Sequence, residues 1–72
     1  MRYLVIFERG AARVGACVPD LPGCVAVGRT RAEAQQLIQS AIAMHIAGLR
    51  ADGLPVPEPT SEAAIVDVKV SD

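Results

Sequence analysis

A chain this small would do chemistry through converging carboxylates, a thiol–imidazole pair, a metal cluster or a glycine loop that cradles phosphate. The carboxylates are Glu8, Asp20, Glu33, Asp52, Glu58, Glu62, Asp67 and Asp72. Five have structural duties. Glu33 follows Thr30 at helix-capping distance, Asp52 stands at a helix end, and Glu58, Glu62 and Asp72 fall in a proline-rich connector or in the tail. Glu8, Asp20 and Asp67 could meet at a sheet edge around a divalent metal and cut RNA, but nothing in their spacing requires it. His45 stands in an apolar stripe. To work as a nucleophilic pair with Cys17 or Cys24 it would need a third, orienting group. A metal site built on the two thiols would have only His45 to add, so buried, reduced thiols are the expectation for Cys17 and Cys24. Gly10, Gly15, Gly23 and Gly28 have neither G-x-G nor P-loop spacing. No catalytic residue, metal or cofactor is expected.

The elements that would position these groups make one small domain over residues 1–72. A chain of 72 residues buries only roughly 60% of its unfolded surface. Its apolar content is mostly Ala and Val, with one Tyr, one Phe and no Trp. Such a core is thin, and a homodimer or larger homo-oligomer is expected. Seven basic and eight acidic residues give a net charge of −1, and Arg9, Arg13, Arg29, Arg31 and Arg50 are spread along the chain. No patch for nucleic acid is expected. The run Y-L-V-I-F at 3–7 is too short for a signal sequence, and no run reaches the ~20 apolar residues that span a bilayer. A cytoplasmic protein is expected.

Residues 1–8 read as a strand that is apolar on both faces, with Tyr3, Val5 and Phe7 on one and Leu4 and Ile6 on the other; such a strand belongs in a sheet interior. A second strand covers 13–18, with Val14, Ala16 and Val18 on one face. Leu21-Pro22-Gly23-Cys24 fits a type II turn, Gly23 taking the positive-φ position, and Asp20 suits an Asx-turn. A third strand covers 24–27. Thr30 and Glu33 form a capping box, and the helix runs to about residue 51, where Asp52-Gly53-Leu54-Pro55 predicts a Schellman end. Ala34, Leu37, Ile38, Ala41, Ile42, Met44, His45, Gly48 and Leu49 share a stripe at helical period. Pro55, Pro57 and Pro59 stiffen a connector to a fourth strand at 63–70, where Ala64, Val66, Val68 and Val70 alternate with Asp67 and Lys69. A right-handed crossover would set this strand parallel beside the first. The expected fold class is α+β, βββαβ, a four-stranded mixed sheet with one helix on one face.

Three blocks carry a family resemblance: P-D-L-P-G-C at 19–24, G-R-T-R-A-E-A at 28–34 and G-L-P-V-P-E-P-T at 53–60. Their order and spacing resemble those of HicB-type antitoxins and HicB-like small proteins, and the opening Y-L-V-I-F strand fits as well. The resemblance implies a partial ribonuclease-H-like fold without the acidic catalytic set. It also implies a role, the steric neutralisation of a small HicA-type toxin that cleaves mRNA. Many relatives carry an additional C-terminal DNA-binding domain. This chain stops after the fourth strand, so no separate DNA-binding domain and no operator binding are expected. The expected contact region is Pro19, Asp20, Leu21, Pro22 and Gly23 together with the uncovered sheet face. The alternative is a stand-alone dimeric structural or adaptor module with no toxin partner.

Overall fold

A computed structural model of the chain describes residues 1–71. Strand β1 (Ile6–Arg9), strand β2 (Val14–Cys17), strand β3 (Val25–Gly28) and helix α1 (Arg31–Ala51) follow in order. The sheet is antiparallel throughout, in the order β1-β2-β3.

Register sorts the side chains onto two faces. Phe7, Ala16 and Ala26 align across the strands, as do Arg9, Val14 and Gly28, on the face that the helix covers. Ile6, Cys17 and Val25 align on the opposite face, with Glu8, Gly15 and Val27 beside them. The core consists of Val14, Ala16, Val18, Leu21, Cys24, Ala34 and Ile38, with Tyr3, Val5, Phe7, Ala26, Ala41 and Ile42 packed against it. The shared face of Val14, Ala16 and Val18 is as expected.

Helix α1 begins and ends where its caps predict. The Thr30 hydroxyl accepts from the Glu33 N–H at 3.1 Å. The Glu33 carboxylate does not return to Thr30; it accepts from the N–H of Arg29, one residue earlier, at 3.0 Å. At the other end the N–H of Leu54 donates to the Leu49 carbonyl and that of Gly53 to the Arg50 carbonyl, with Gly53 at φ 68°. Those two bonds are the Schellman pair. Only Ala34 and Ile38 of the apolar stripe are buried, while Leu37 and Met44 are exposed. Geometry explains the shortfall. A four-residue strand spans about 13 Å, whereas a helix of this length runs about 30 Å, so its C-terminal half overhangs the sheet.

The four-stranded mixed sheet does not form within this chain. Residues 54–71 take no regular structure, and residues 63–70 pair with nothing among the described residues. Ile65 is 99% exposed, and Val66, Val68 and Val70 are 73%, 74% and 78% exposed. With no strand on its outer side among the described residues, β1 is an edge strand, and β2 occupies the interior that β1 was expected to hold. The radius of gyration is 14.8 Å and the long dimension 54 Å. A compact chain of this length would have a radius of about 11 Å, and the projecting tail accounts for the excess. Asp72, assigned to the tail by sequence, lies outside the described residues.

Candidate partner-binding surface

The turn between β2 and β3 is built by two nested reversals. The Leu21 N–H donates to the Val18 carbonyl at 3.1 Å, and the Cys24 N–H donates to the Leu21 carbonyl at 3.0 Å. The second is the expected type II turn, with Gly23 at φ 83°. The N–H of Val18 closes the base on the Cys24 carbonyl at 3.2 Å. Two tight turns on so short a loop point Leu21 inwards. It is 0% exposed and one of the two largest fully buried side chains. Leu21 is therefore a core residue, and the expectation that its side chain meets a partner is corrected here. Pro19, Pro22 and Gly23 are exposed and form the outer surface of the turn.

Asp20 does not make the local Asx-turn. Its carboxylate reaches the connector forty residues on. Oδ2 accepts from the backbone N–H groups of Thr60 (3.1 Å) and Ser61 (2.9 Å), and Oδ1 accepts from the hydroxyls of Thr60 (3.2 Å) and Ser61 (2.8 Å). A second tie holds the same connector, where the Tyr3 hydroxyl donates to the Pro57 carbonyl. The Ser61 N–H, then its hydroxyl, stabilise the charged carboxylate and hold the Asp20 pKa below its ordinary 3.8; partial burial opposes them, and the Thr60 donors add to the lowering.

A carboxylate with a depressed pKa stabilises the folded clamp above its unfolded pKa and loses that contribution as pH falls through the lowered value. The Thr60 and Ser61 amides are therefore expected to exchange with solvent faster in Asp20→Ala than in the native chain at neutral pH. The difference should vanish below the lowered pKa of Asp20. Equal protection in both chains at neutral pH would show that the clamp does not hold the connector.

The open sheet face continues from this turn. Val25 and Val27 are 63% and 54% exposed, and with Ile6, Cys17, Gly15 and Glu8 they line a shallow depression of about 240 Å³. It is apolar apart from Glu8. The face suits apolar burial against a protein surface.

The candidate chemical groups stay apart. Glu8 lies on the open face, Asp20 is committed to the connector, and Asp67 lies on the projecting tail. Among the described residues no group of three His, Cys, Asp or Glu side chains could hold a metal ion. Cys17 and Cys24 are free thiols, Cys17 half-buried on the open face and Cys24 in the core. Burial pushes the Cys24 thiol pKa up, which disfavours the reactive thiolate. His45 lines the same shallow depression as Cys24, with Gly23, Val25, Ala41 and Met44. No helix among the described residues is long and apolar enough to cross a membrane.

Comparison with known proteins agrees with the blocks at 19–24, 28–34 and 53–60. No curated protein matches the sequence. In structure the chain is similar to a chain of a solved HicA3 and HicB3 toxin-antitoxin complex, with a TM-score of 0.71 and 28% identity. That alignment covers 83% of this chain and 70% of the other. The family described as HicB_like antitoxin of bacterial toxin-antitoxin system matches residues 3–70. With nearly its whole length matched, the chain belongs to the HicB-like antitoxin family.

Proposed function

We propose that this chain binds a small HicA-type, mRNA-cleaving toxin in the cytoplasm and neutralises it by covering its RNA-binding surface. The observation that carries the reading is its likeness to a chain taken from a HicA3 and HicB3 complex. The contact surface is the outer turn of Pro19, Pro22 and Gly23 together with the open sheet face around Val25 and Val27. Asp20 and Leu21 act from behind this surface, Leu21 by anchoring the turn in the core and Asp20 by fixing the connector beside it. The domain inhibits as a protein ligand and is not an enzyme. It needs no cofactor or metal, and with a net charge of −1 it does not compete for RNA directly. The fuller βββαβ arrangement, partial ribonuclease-H-like, forms when residues 63–70 gain a strand to pair with.

The test is co-expression with the toxin-sized product of an adjacent gene. Growth rescue and a co-purifying complex are expected, and Val27→Asp is expected to abolish both while leaving the helical circular dichroism signal intact. Its side chain is exposed, so a charge costs the free domain little but must be desolvated, unpaired, in an interface. Growth inhibition that persists with the native chain, without a complex, rejects the reading for that pair. The second reading, a stand-alone dimeric adaptor, is favoured by the exposed apolar tail. It would prevail if no neighbouring gene encodes a toxin that the chain captures.

A further inference from the structure

Hydrogen-bond alternation fixes which backbone groups the outer edge of β3 leaves free. The Val18 N–H donates to the Cys24 carbonyl, which makes 18 and 24 a bonded pair in the β2–β3 register. Bonded pairs recur at every second position of an antiparallel ladder, so Ala16 with Ala26 and Val14 with Gly28 are bonded too. On the other side of β2, the Gly10 N–H donates to the Arg13 carbonyl, which makes Gly15 with Glu8 and Cys17 with Ile6 the bonded pairs. The residues of β2 thus serve β1 and β3 alternately, and the two ladders agree. The N–H and C=O groups of Val25 and Val27 are left pointing away from the sheet, and no strand lies on that side among the described residues. The side chains of the same two residues are exposed on the open face.

A strand edge open to solvent is ordinarily blunted by charge, by proline or by a bulge. The edge of β1 is blunted. It carries Glu8 and Arg9, and the trough of about 420 Å³ beside it has Arg2 and Arg31 in its lining. The edge of β3 has no such protection. Its sequence is V-A-V-G, in unbroken register with β2. Next to it the overhanging half of α1 completes a groove of about 320 Å³, where Ala41, Met44 and His45 line one side and Gly23, Cys24 and Val25 the other. No carboxylate, lysine or arginine is among these lining residues.

We infer that the outer edge of β3 is a strand-addition site, and that its occupant is an uncharged, extended segment of the toxin partner, about four residues long. The inference rests on the antitoxin reading and specifies how the contact is made. Continuity of the surface identifies the occupant. Gly23 belongs to the outer turn and Val25 and Val27 to the open face, so the β3 edge is the seam between the two parts of the contact surface. A partner that covers both parts crosses it. Strand addition gives the N–H and C=O groups of Val25 and Val27 main-chain partners, and pockets for alternate side chains set the choice of segment. One set of the added side chains enters the groove between Ala41 and Met44, and the other extends the apolar face beside Val25 and Val27. With no fixed charge in the groove, an acidic or basic side chain entering it would be desolvated without a partner.

The experiment uses the full chain with the toxin-sized product of the adjacent gene. In the free chain the amides of Ala26 and Gly28 should exchange slowly with solvent and those of Val25 and Val27 quickly. In the complex all four should be slow. A chain of 72 residues is within reach of chemical synthesis, so N-methylvaline can be placed at position 27, removing the outward N–H and keeping the side chain. Its circular dichroism should match the native chain, because that N–H bonds nothing in β2, and its affinity for the toxin should fall on the order of tenfold or more. Native binding with fast Val25 and Val27 amides, or undiminished by the N-methyl group, overturns strand addition and leaves the antitoxin reading standing on side-chain contact alone. A native chain that captures no toxin rejects that reading for the pair, and this occupant with it. Slow Val25 and Val27 amides in the concentrated free chain that quicken on dilution also overturn the proposal, since the edge then pairs with a second copy.

Discussion

Leu21→Ala is expected to lower the stability of the domain by about 2–5 kcal/mol, the range for emptying a fully buried leucine site. A core of this size rarely supplies more than about 3–5 kcal/mol in all. The variant is therefore expected to be largely unfolded at 25 °C, with a flattened urea transition and loss of most helical signal. Leu21 joins the turn to the core beneath it, since the reversals at 18–21 and 21–24 both use its backbone while its side chain is completely enclosed. Leu21→Met keeps the volume and should cost less than about 1.5 kcal/mol. Pro22→Ala, on the exposed side of the same turn, should shift the midpoint far less than Leu21→Ala. Should Leu21→Ala unfold at the native urea concentration, the side chain does not anchor the turn.

The position of Leu21 also marks the boundary of what could be read from sequence. Prolines at 19 and 22 and a glycine at 23 identify the loop, and loops normally run over the surface. One large aliphatic residue among them was the signal for burial, since the surface of a tight turn has no use for it. The Asp20 carboxylate likewise bonds Thr60 and Ser61 and not its own turn. A carboxylate next to a turn has nearby N–H groups that sequence reveals, and donors forty residues away that it does not. Other local devices were legible: Thr30, Gly53 and Leu54 fix the helix ends through bonds spanning five residues or fewer, and Gly23 takes the positive φ its turn demands, while Glu33 bonds the Arg29 N–H in place of the Thr30 N–H that a capping box requires. The two sheet faces were legible because alternation depends only on neighbours along the chain.

Pairing was not legible, for a related reason. Alternation at 63–70 identifies a segment able to be a strand, yet a strand exists only through the edge it bonds to, and sequence does not say which edge or whose. The apolar character of residues 3–7 on both faces calls for an interior position. The structure leaves that demand unmet within one chain, with β1 at the edge and the trough beside it open. The candidate surface divides likewise. Its turn was visible in the motif at 19–24, whereas the contribution of Val25 and Val27 depends on the helix lying on the other side of the sheet.

Gly28→Ala is expected to cost about 1–3 kcal/mol or more, the range for forcing an extra carbon into a packed site, and Gly28→Val more again. A Cβ at this position would lie 2.6 Å from the Ala34 nitrogen, 3.0 Å from its Cα and 3.1 Å from the Glu33 carbonyl carbon. All three are backbone atoms of the first helical turn, so no side chain can rotate away to make room. The whole helix would have to lift from the end of β3, opening the contact that buries Ala34 and Ile38. Ala34→Gly should therefore fail to rescue Gly28→Ala, because the obstruction is the helix backbone and not the Ala34 methyl. Gly48→Ala provides the opposite case in the same helix. Nothing lies within 4 Å of a Cβ there, and replacing an exposed helical glycine should add about 0.8–1.0 kcal/mol. Urea midpoints that move in opposite directions for the two substitutions would establish that Gly28 is required for close approach. A midpoint for Gly28→Ala at or above the native value would mean that the helix can yield, and that the glycine opening the 28–34 block serves something other than packing.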